Sequence, residues 1–416
     1  MDRVEQFNQA FRNLELFPLY FRVPYGQRTL ARLRNDILAS DDASKLIFTG
    51  HRGCGKSTLL AQLAERMRKD NLFVTGFSIA DTVEMSDVNH INILYSIALK
   101  LLSKALELEV PISESSKKNL INWFTQTKSR TYSDQLKQEY SVGVKFLDFF
   151  TGKLQKEGSF REEIKETYQR RVSDLAQQID LIAAAIQAAT HKKVMVIIDD
   201  LDKLDLGEVR SIFQDNIKAL FSPNIRVVFT IPIAVVREPR LLATLESESR
   251  IFMLSVTKFF TRETAHQPDA EPIEDNVKML QTVLEKRIPD ALIEPEMKRQ
   301  IVLLSGGVLR ELVRLGQECC RECLLEIELG NPDIKINQAI LTEAVKSMRN
   351  QFARSLGTNL YDLLVKTYQD FNPPDIKDDG FLELLHGLYV LEYENDDLWY
   401  DLHPMVTDLL RRKQLI

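Results

Sequence analysis

The tightest constraint on this chain lies in the run from Lys45 to Thr58, KLIFTGHRGCGKST. Lys45 to Phe48 is short and almost wholly apolar, which reads as a strand buried on both faces. The segment after the glycines, from Lys56 to about Lys69, places Leu59, Leu60, Leu63 and Met67 at helical spacing. A buried strand that enters a helix through a glycine loop restricts the chain to α/β architectures, because only a sheet covered by helices buries such a strand completely.

The loop itself has a chemistry. Gly50, Gly55, Lys56 and Ser57 stand at the spacing of a Walker A phosphate loop, with Gly53 as a further point of backbone freedom. Glycines let backbone N–H groups turn inward around phosphate oxygens, and the helix behind aims its positive end at the same anion. Lys56 is expected to hold the β and γ phosphates and Ser57 to give its hydroxyl to Mg2+. Thr58 falls near the α-phosphate or packs beneath the loop. Cys54, His51 and Arg52 fill variable positions whose side chains are expected to have no chemical duty, with Arg52 able to face a neighbouring group and Cys54 counted among the nucleotide-binding residues of the loop.

Further apolar strands are expected at Leu72 to Ile79, Val194 to Ile198, Arg226 to Ile231 and Ile251 to Val256. Helices are expected at Leu206 to Phe221 and Val235 to Thr244. The strand VMVII ends in Asp199 and Asp200, as a Walker B element does. Asp199 is expected to take Mg2+ through water and Asp200 to orient and deprotonate the attacking water, with Asp202 as a third acid nearby. The competing explanation, that DDLD only caps a helix starting near Leu206, accounts for one aspartate and not two.

With these elements in view, the sequence resembles the additional-strand P-loop ATPases, above all AAA+ proteins of the origin-recognition kind and their STAND and KAP relatives. VPYGQRTLARL, Val23 to Leu33, is similar to the lead-in box of such modules, where Tyr25 and Gly26 would lie beside the adenine. Thr230 matches the sensor 1 position. SGGVLREL, Ser305 to Leu312, is similar to sensor 2 of a helical lid, which would put Arg310 near the γ-phosphate. The resemblance also implies an arginine finger just before the last core strand, at Arg250, with Arg237 and Arg240 as rivals. The acid pair is Asp-Asp where AAA+ enzymes have Asp-Glu, so slow ATP turnover is expected.

The expected architecture is therefore a three-layer α/β P-loop NTPase of the additional-strand type with a helical lid and a C-terminal winged-helix-like domain. Its segments are a lead-in over 1–43, a core over 44–260 carrying a helical insertion at about 85–190, a lid over 261–350 and the terminal domain over 355–416. The last rests on helical spacing through Leu363, Leu364 and Tyr368, then Phe381 to Leu388. Two short strands within Tyr389 to Leu402 and a helix from Pro404 follow.

Charge decides between uses of the nucleotide. The whole chain carries 54 basic and 60 acidic residues, -6, so no global field draws it to nucleic acid. From Ser355 to Ile416 there are 5 basic and 12 acidic residues, -7. Glu392, Glu394, Asp396 and Asp397 crowd the wing, which argues for a protein partner there rather than DNA. The insertion from Ile112 to Ala176 holds 12 basic against 9 acidic residues, +3. It leaves room for nucleic-acid contact through Lys117, Lys118, Lys128 and Arg130. Its apolar segment Val142 to Phe150 serves either an interaction arm or the chain's own core.

The leading expectation is an ATP- and Mg2+-dependent switch whose ATP state drives homo-oligomer or partner assembly, as in defence effectors or loaders. The alternative is a DNA-dependent ATPase like origin-binding proteins or transposition regulators. A small-molecule kinase leaves the GGVLREL segment unexplained. No apolar run reaches a membrane span and the N-terminus lacks a signal peptide's apolar stretch, so a cytoplasmic protein is expected. Cys319, Cys320 and Cys323, crowded on one helical segment, read as core thiols rather than zinc ligands.

Overall fold

β-Branched and aliphatic runs fix the sheet. In the computed structural model, which describes residues 2–15, 23–126, 144–394 and 397–416, five strands form one parallel sheet. They are β1 (Lys45–Gly50), β2 (Leu72–Ser78), β3 (Lys193–Asp199), β4 (Arg226–Pro232) and β5 (Arg250–Leu254), in the order β2-β3-β4-β1-β5. β4 is thus the additional strand between β1 and β3. β1 and β4 are buried along their whole length, as expected of strands covered on both faces. β2 pairs with β3 in parallel register, which brings Ser78 opposite Asp199 at the strand ends.

The chain divides into two compact units. One comprises 28–49 and 59–253, and it holds most of the sheet and the insertion. Its helix His90–Glu107 packs against Val172–Thr190, Val144–Lys156 and Gly158–Tyr168. Leu147 and Phe150 are fully buried and Phe150 meets the Phe160 ring at 6.1 Å. This end of the apolar segment therefore belongs to its own core. Val142, Lys128 and Arg130 lie outside the described residues, while Lys117 pairs with Glu114 and Lys118 is exposed.

Two local expectations need correction. The helix expected over Leu206 to Phe221 is broken into Leu206–Arg210, a π turn over Ser211–Asp215, and Ile217–Leu220. Asn216 leaves helical geometry and its side-chain amide donates to the Ser211 carbonyl, so a side chain takes over a backbone bond. The helix expected from Val235 begins as a 3-10 turn over Ile233–Arg237 and becomes α-helical only at Pro239, whose ring favours the first helical turn.

The other unit comprises 1–27, 50–58 and 254–416. Its N-terminal residues are not merely a lead-in, since Arg3–Glu15 is a helix packed against Leu309–Glu328. Phe7, Ala10 and Leu14, at helical spacing, are its buried stripe. The helices Glu274–Glu285, Pro295–Leu304, Leu309–Glu328 and Gln338–Ser355 make a bundle whose core takes up Cys319, Cys320 and Cys323. Burial raises all three thiols, Cys323 to about 12, so they act as core side chains.

The C-terminal part shows two helices, Tyr361–Asp370 and Asp379–His386, the antiparallel hairpin β6 (Val390–Glu394) and β7 (Leu398–Leu402), and the helix Pro404–Arg412. Asp396, expected in a wing, lies outside the described residues. No helix among the described residues is long and apolar enough to cross a membrane.

Candidate nucleotide site

The loop after β1 is shaped by its glycines. Gly50, Gly53 and Gly55 all take positive φ, at 148°, 79° and 98°, a region that side-chain-bearing residues avoid. At Gly53 the need is twofold, since a Cβ there would come within 2.4 Å of the Arg310 Cβ. Lys56, 4% exposed, turns its ammonium back into the loop and donates to the carbonyls of Gly50 (2.9 Å) and His51 (2.8 Å). The helix Lys56–Lys69 begins at this lysine, and the first N–H groups of any helix lack intrahelical partners. Ser57 is exposed, Thr58 half-buried and Cys54 fully buried. A concave backbone, a buried ammonium and a helix start are the donor set a phosphate chain requires.

The loop is also tied to other parts of its own unit. The Gly53 carbonyl accepts from the backbone N–H of Arg310 (3.0 Å), in the first turn of the helix Leu309–Glu328. That helix is preceded by Gly306 and Gly307, and a Cβ at Gly307 would fall 1.8 Å from the Thr257 carbonyl, so only glycine permits this approach. The Arg310 side chain is exposed. The buried His51 accepts on Nε2 from the N–H of Glu392 in β6 (2.8 Å). Tyr25 is buried with its ring against Gly55, burial pushes its hydroxyl up, and Gly26 takes φ 63° beside it. Neither the His51 nor the Gly53 contact is readable from sequence, because both partners lie more than 250 residues away. His51 at a variable loop position gave no signal.

The acids after β3 are organised differently. Asp199, Asp200 and Asp202 offer carboxylate oxygens that all lie within 4.8 Å of one another. Asp200 sits at φ 69°, accepts from the Ser78 hydroxyl on one oxygen (2.6 Å) and pairs with Lys203 through the other (2.7 Å). Asp199 accepts from the Asp200 N–H (2.8 Å). Thr230 is fully buried, and its hydroxyl accepts from Leu201 N–H (3.1 Å) while lying 3.4 Å from the Ile198 carbonyl. This position of β4 therefore braces the acid turn. Helix capping falls to Asp205, which forms a capping box with Glu208. The three other aspartates are not needed for that task.

Ser78 and Lys203 were missed at the sequence level. Parallel pairing of β2 with β3 puts Ser78 beside the acids, and Lys203 sits three residues after Asp200 on the same turn. Either was findable once strand order was known. Arg250 opens β5 with its side chain 65% exposed and paired to Asp36 (2.7 Å). Arg237 approaches Met253 and Arg240 is exposed.

Comparison with known proteins bears on the core. Residues 31–236 match the model of the KAP family P-loop domain. No curated protein matches the chain. A solved structure of Drosophila ORC bound to GC-rich DNA and Cdc6 is similar at 11% identity and a TM-score of 0.34. The match covers 92% of this chain and 52% of that one, so the chain spans about half the length of that relative. The strand order, the glycine loop and the match to the KAP family model agree: residues 31–236 have the fold of a P-loop NTPase domain.

Proposed function

We propose that the chain is a slow ATPase that works as a switch, with its Mg-ATP state favouring assembly with copies of itself or with a protein partner. Each element supplies one part. The glycine loop and the helix start behind it bind the triphosphate through backbone N–H groups, and Lys56 exchanges its two carbonyl partners for phosphate oxygens. Ser57 and Asp199 are the residues to hold Mg2+, which when bound neutralises developing charge on the phosphates. Asp200 takes the proton of the attacking water, and Ser78 and Lys203 fix the direction of its carboxylate. Arg310, Arg250 and Thr230 keep the roles of sensor, finger and brace in this reading.

The observation that carries the switch reading is the pair of tethers on the loop. Gly53 is bonded to the start of a lid helix and His51 to the C-terminal hairpin. Any backbone adjustment that accommodates phosphate alters both bonds, so the nucleotide state is felt by segments far along the chain. The acidity of residues 355–416 supports a protein rather than a nucleic-acid partner for that end.

The test is the assembly mass of the full chain with ADP, ATP and a non-hydrolysable ATP analogue, each with and without duplex and single-stranded DNA. A larger species with ATP and the analogue, absent with ADP and indifferent to DNA, is the expected result. An unchanged mass in all three nucleotides contradicts the switch, and assembly only with DNA contradicts the protein-partner reading.

A further inference from the structure

Away from the glycine loop, the unit formed by 1–27, 50–58 and 254–416 contains a cavity of about 700 Å³ lined by the bundle helices and the C-terminal hairpin. That volume is in the range of small-molecule sites. Its wall has two parts. One is aromatic: the His266 ring stacks on Tyr368 at 3.9 Å, and Trp399 stacks on Tyr393 at 4.8 Å. The other is ionic, with Lys258, Lys346, Arg349, Arg411 and Arg412 against only Asp401 and Asp408. Among the described lining residues, five cations against two anions is a surplus of three.

The pairing singles out Arg411 within that surplus. Arg349 and Arg412 converge on the single carboxylate of Asp408, at 2.7 and 3.1 Å. Asp401 is taken by His266, with Nε2 at 3.1 Å from both its oxygens. Lys346 reaches Glu343 on the outer surface. Arg411 meets no carboxylate among the described residues, and its guanidinium donates only to the neutral Tyr368 hydroxyl at 3.3 Å. Trp399, 2% exposed, has an indole N–H with no hydrogen-bond partner among the described residues. A buried donor left unmade is costly, and native proteins leave few of them.

We infer that this cavity is a binding site for a small planar organic anion, an aromatic carboxylate or aryl phosphate monoester, held by its ring among the aromatic side chains and by its charge at Arg411. The ring contributes apolar contact with the half-buried His266 and Tyr368. The charged group forms the fork pairing with Arg411 that no carboxylate among the described residues provides. The site is separate from the residues assigned to ATP, so it stands or falls apart from that assignment.

The experiment is calorimetry on the full chain with 1-naphthoate and 1-naphthyl phosphate as probes. Neutral 1-naphthalenemethanol and inorganic phosphate serve as controls. Saturable binding of one of the two aryl anions at one site per chain is expected, and which of them is tighter tells carboxylate from phosphate. The neutral analogue and inorganic phosphate should each bind at least about tenfold more weakly, the worth of a charge-assisted bond or of the lost ring contact. Arg411→Gln, an exposed position, should weaken the aryl anion by about tenfold or more. Val345→Trp, which fills the cavity, should abolish binding while the circular dichroism stays unchanged. No binding of either aryl anion, or equal affinity for the Arg411→Gln chain, overturns the proposal. Inorganic phosphate bound as tightly as the aryl anions overturns it as well.

Discussion

The glycine loop and the acid turn follow two strands of one sheet, yet they are held by different chemistry. The loop is backbone almost throughout: three glycines at positive φ, a lysine that bonds two carbonyls, and tethers that end on the Gly53 carbonyl and on one imidazole nitrogen. The acid turn is set mainly by side chains, with Asp200 pinned between Ser78 and Lys203 and the turn braced by Thr230. A backbone cradle depends on very few residue types, but it depends on those absolutely. A side-chain cluster spreads its geometry over several partners, each of which can be removed for a smaller cost.

That contrast predicts a graded set of losses. Asp200→Asn keeps the shape of the turn but removes the proposed proton acceptor, so phosphate release should fall about 100-fold or more while ATP affinity is retained. Hydrolysis at the parent rate would transfer the role to Asp202 or another acid. Ser78→Ala removes one of two bonds that orient Asp200. Turnover should drop about tenfold, the worth of a hydrogen bond to a charged group, with ATP affinity unchanged in a binding titration. A loss equal to that of Asp200→Asn would mean that Ser78 takes part in the chemistry itself.

A further effect, on stability rather than turnover, lies outside both regions, at the start of the last helix. His403 is fully buried, its Nδ1 accepts from Met405 N–H, and burial pushes it down to about 3. Because the folded state refuses a proton that the unfolded chain accepts near 6.5, its contribution is complete above that pH and is lost as pH falls below it. His403→Asn preserves the cap acceptor and removes the titration. Between pH 7 and pH 5 the parent should lose about 2 kcal/mol more than this variant in urea unfolding. Equal losses would show that His403 takes a proton while folded.

The same contrast explains what could be read from the sequence. The strands were legible because runs such as VMVII and RVVFTI allow no amphipathic helix, and their observed bounds lie within two residues of expectation. The glycine loop was legible because its backbone demands are written as residue types at fixed spacing. Ser78 was not, since nothing local marks a serine at the end of β2; only the β2-β3 pairing gives it a neighbour. His51 and Gly53 owe their partners to contacts across more than 250 residues. The helix Arg3–Glu15 was missed although Phe7, Ala10 and Leu14 stand at helical spacing, because polar residues on its open face dominate the segment. The broken helix after Leu206 turns on the single amide of Asn216.

Every role proposed above requires phosphate to be held by the loop that follows β1, and calorimetry of Mg-ATP with the parent chain and with Lys56→Ala tests this directly. The parent should bind one ATP per chain and the variant should show a loss of at least about 100-fold, since a desolvated charge-assisted contact disappears. Lys56→Ala binding Mg-ATP as tightly as the parent would place the nucleotide elsewhere and remove the basis for the roles assigned to Ser57, Asp199 and Asp200.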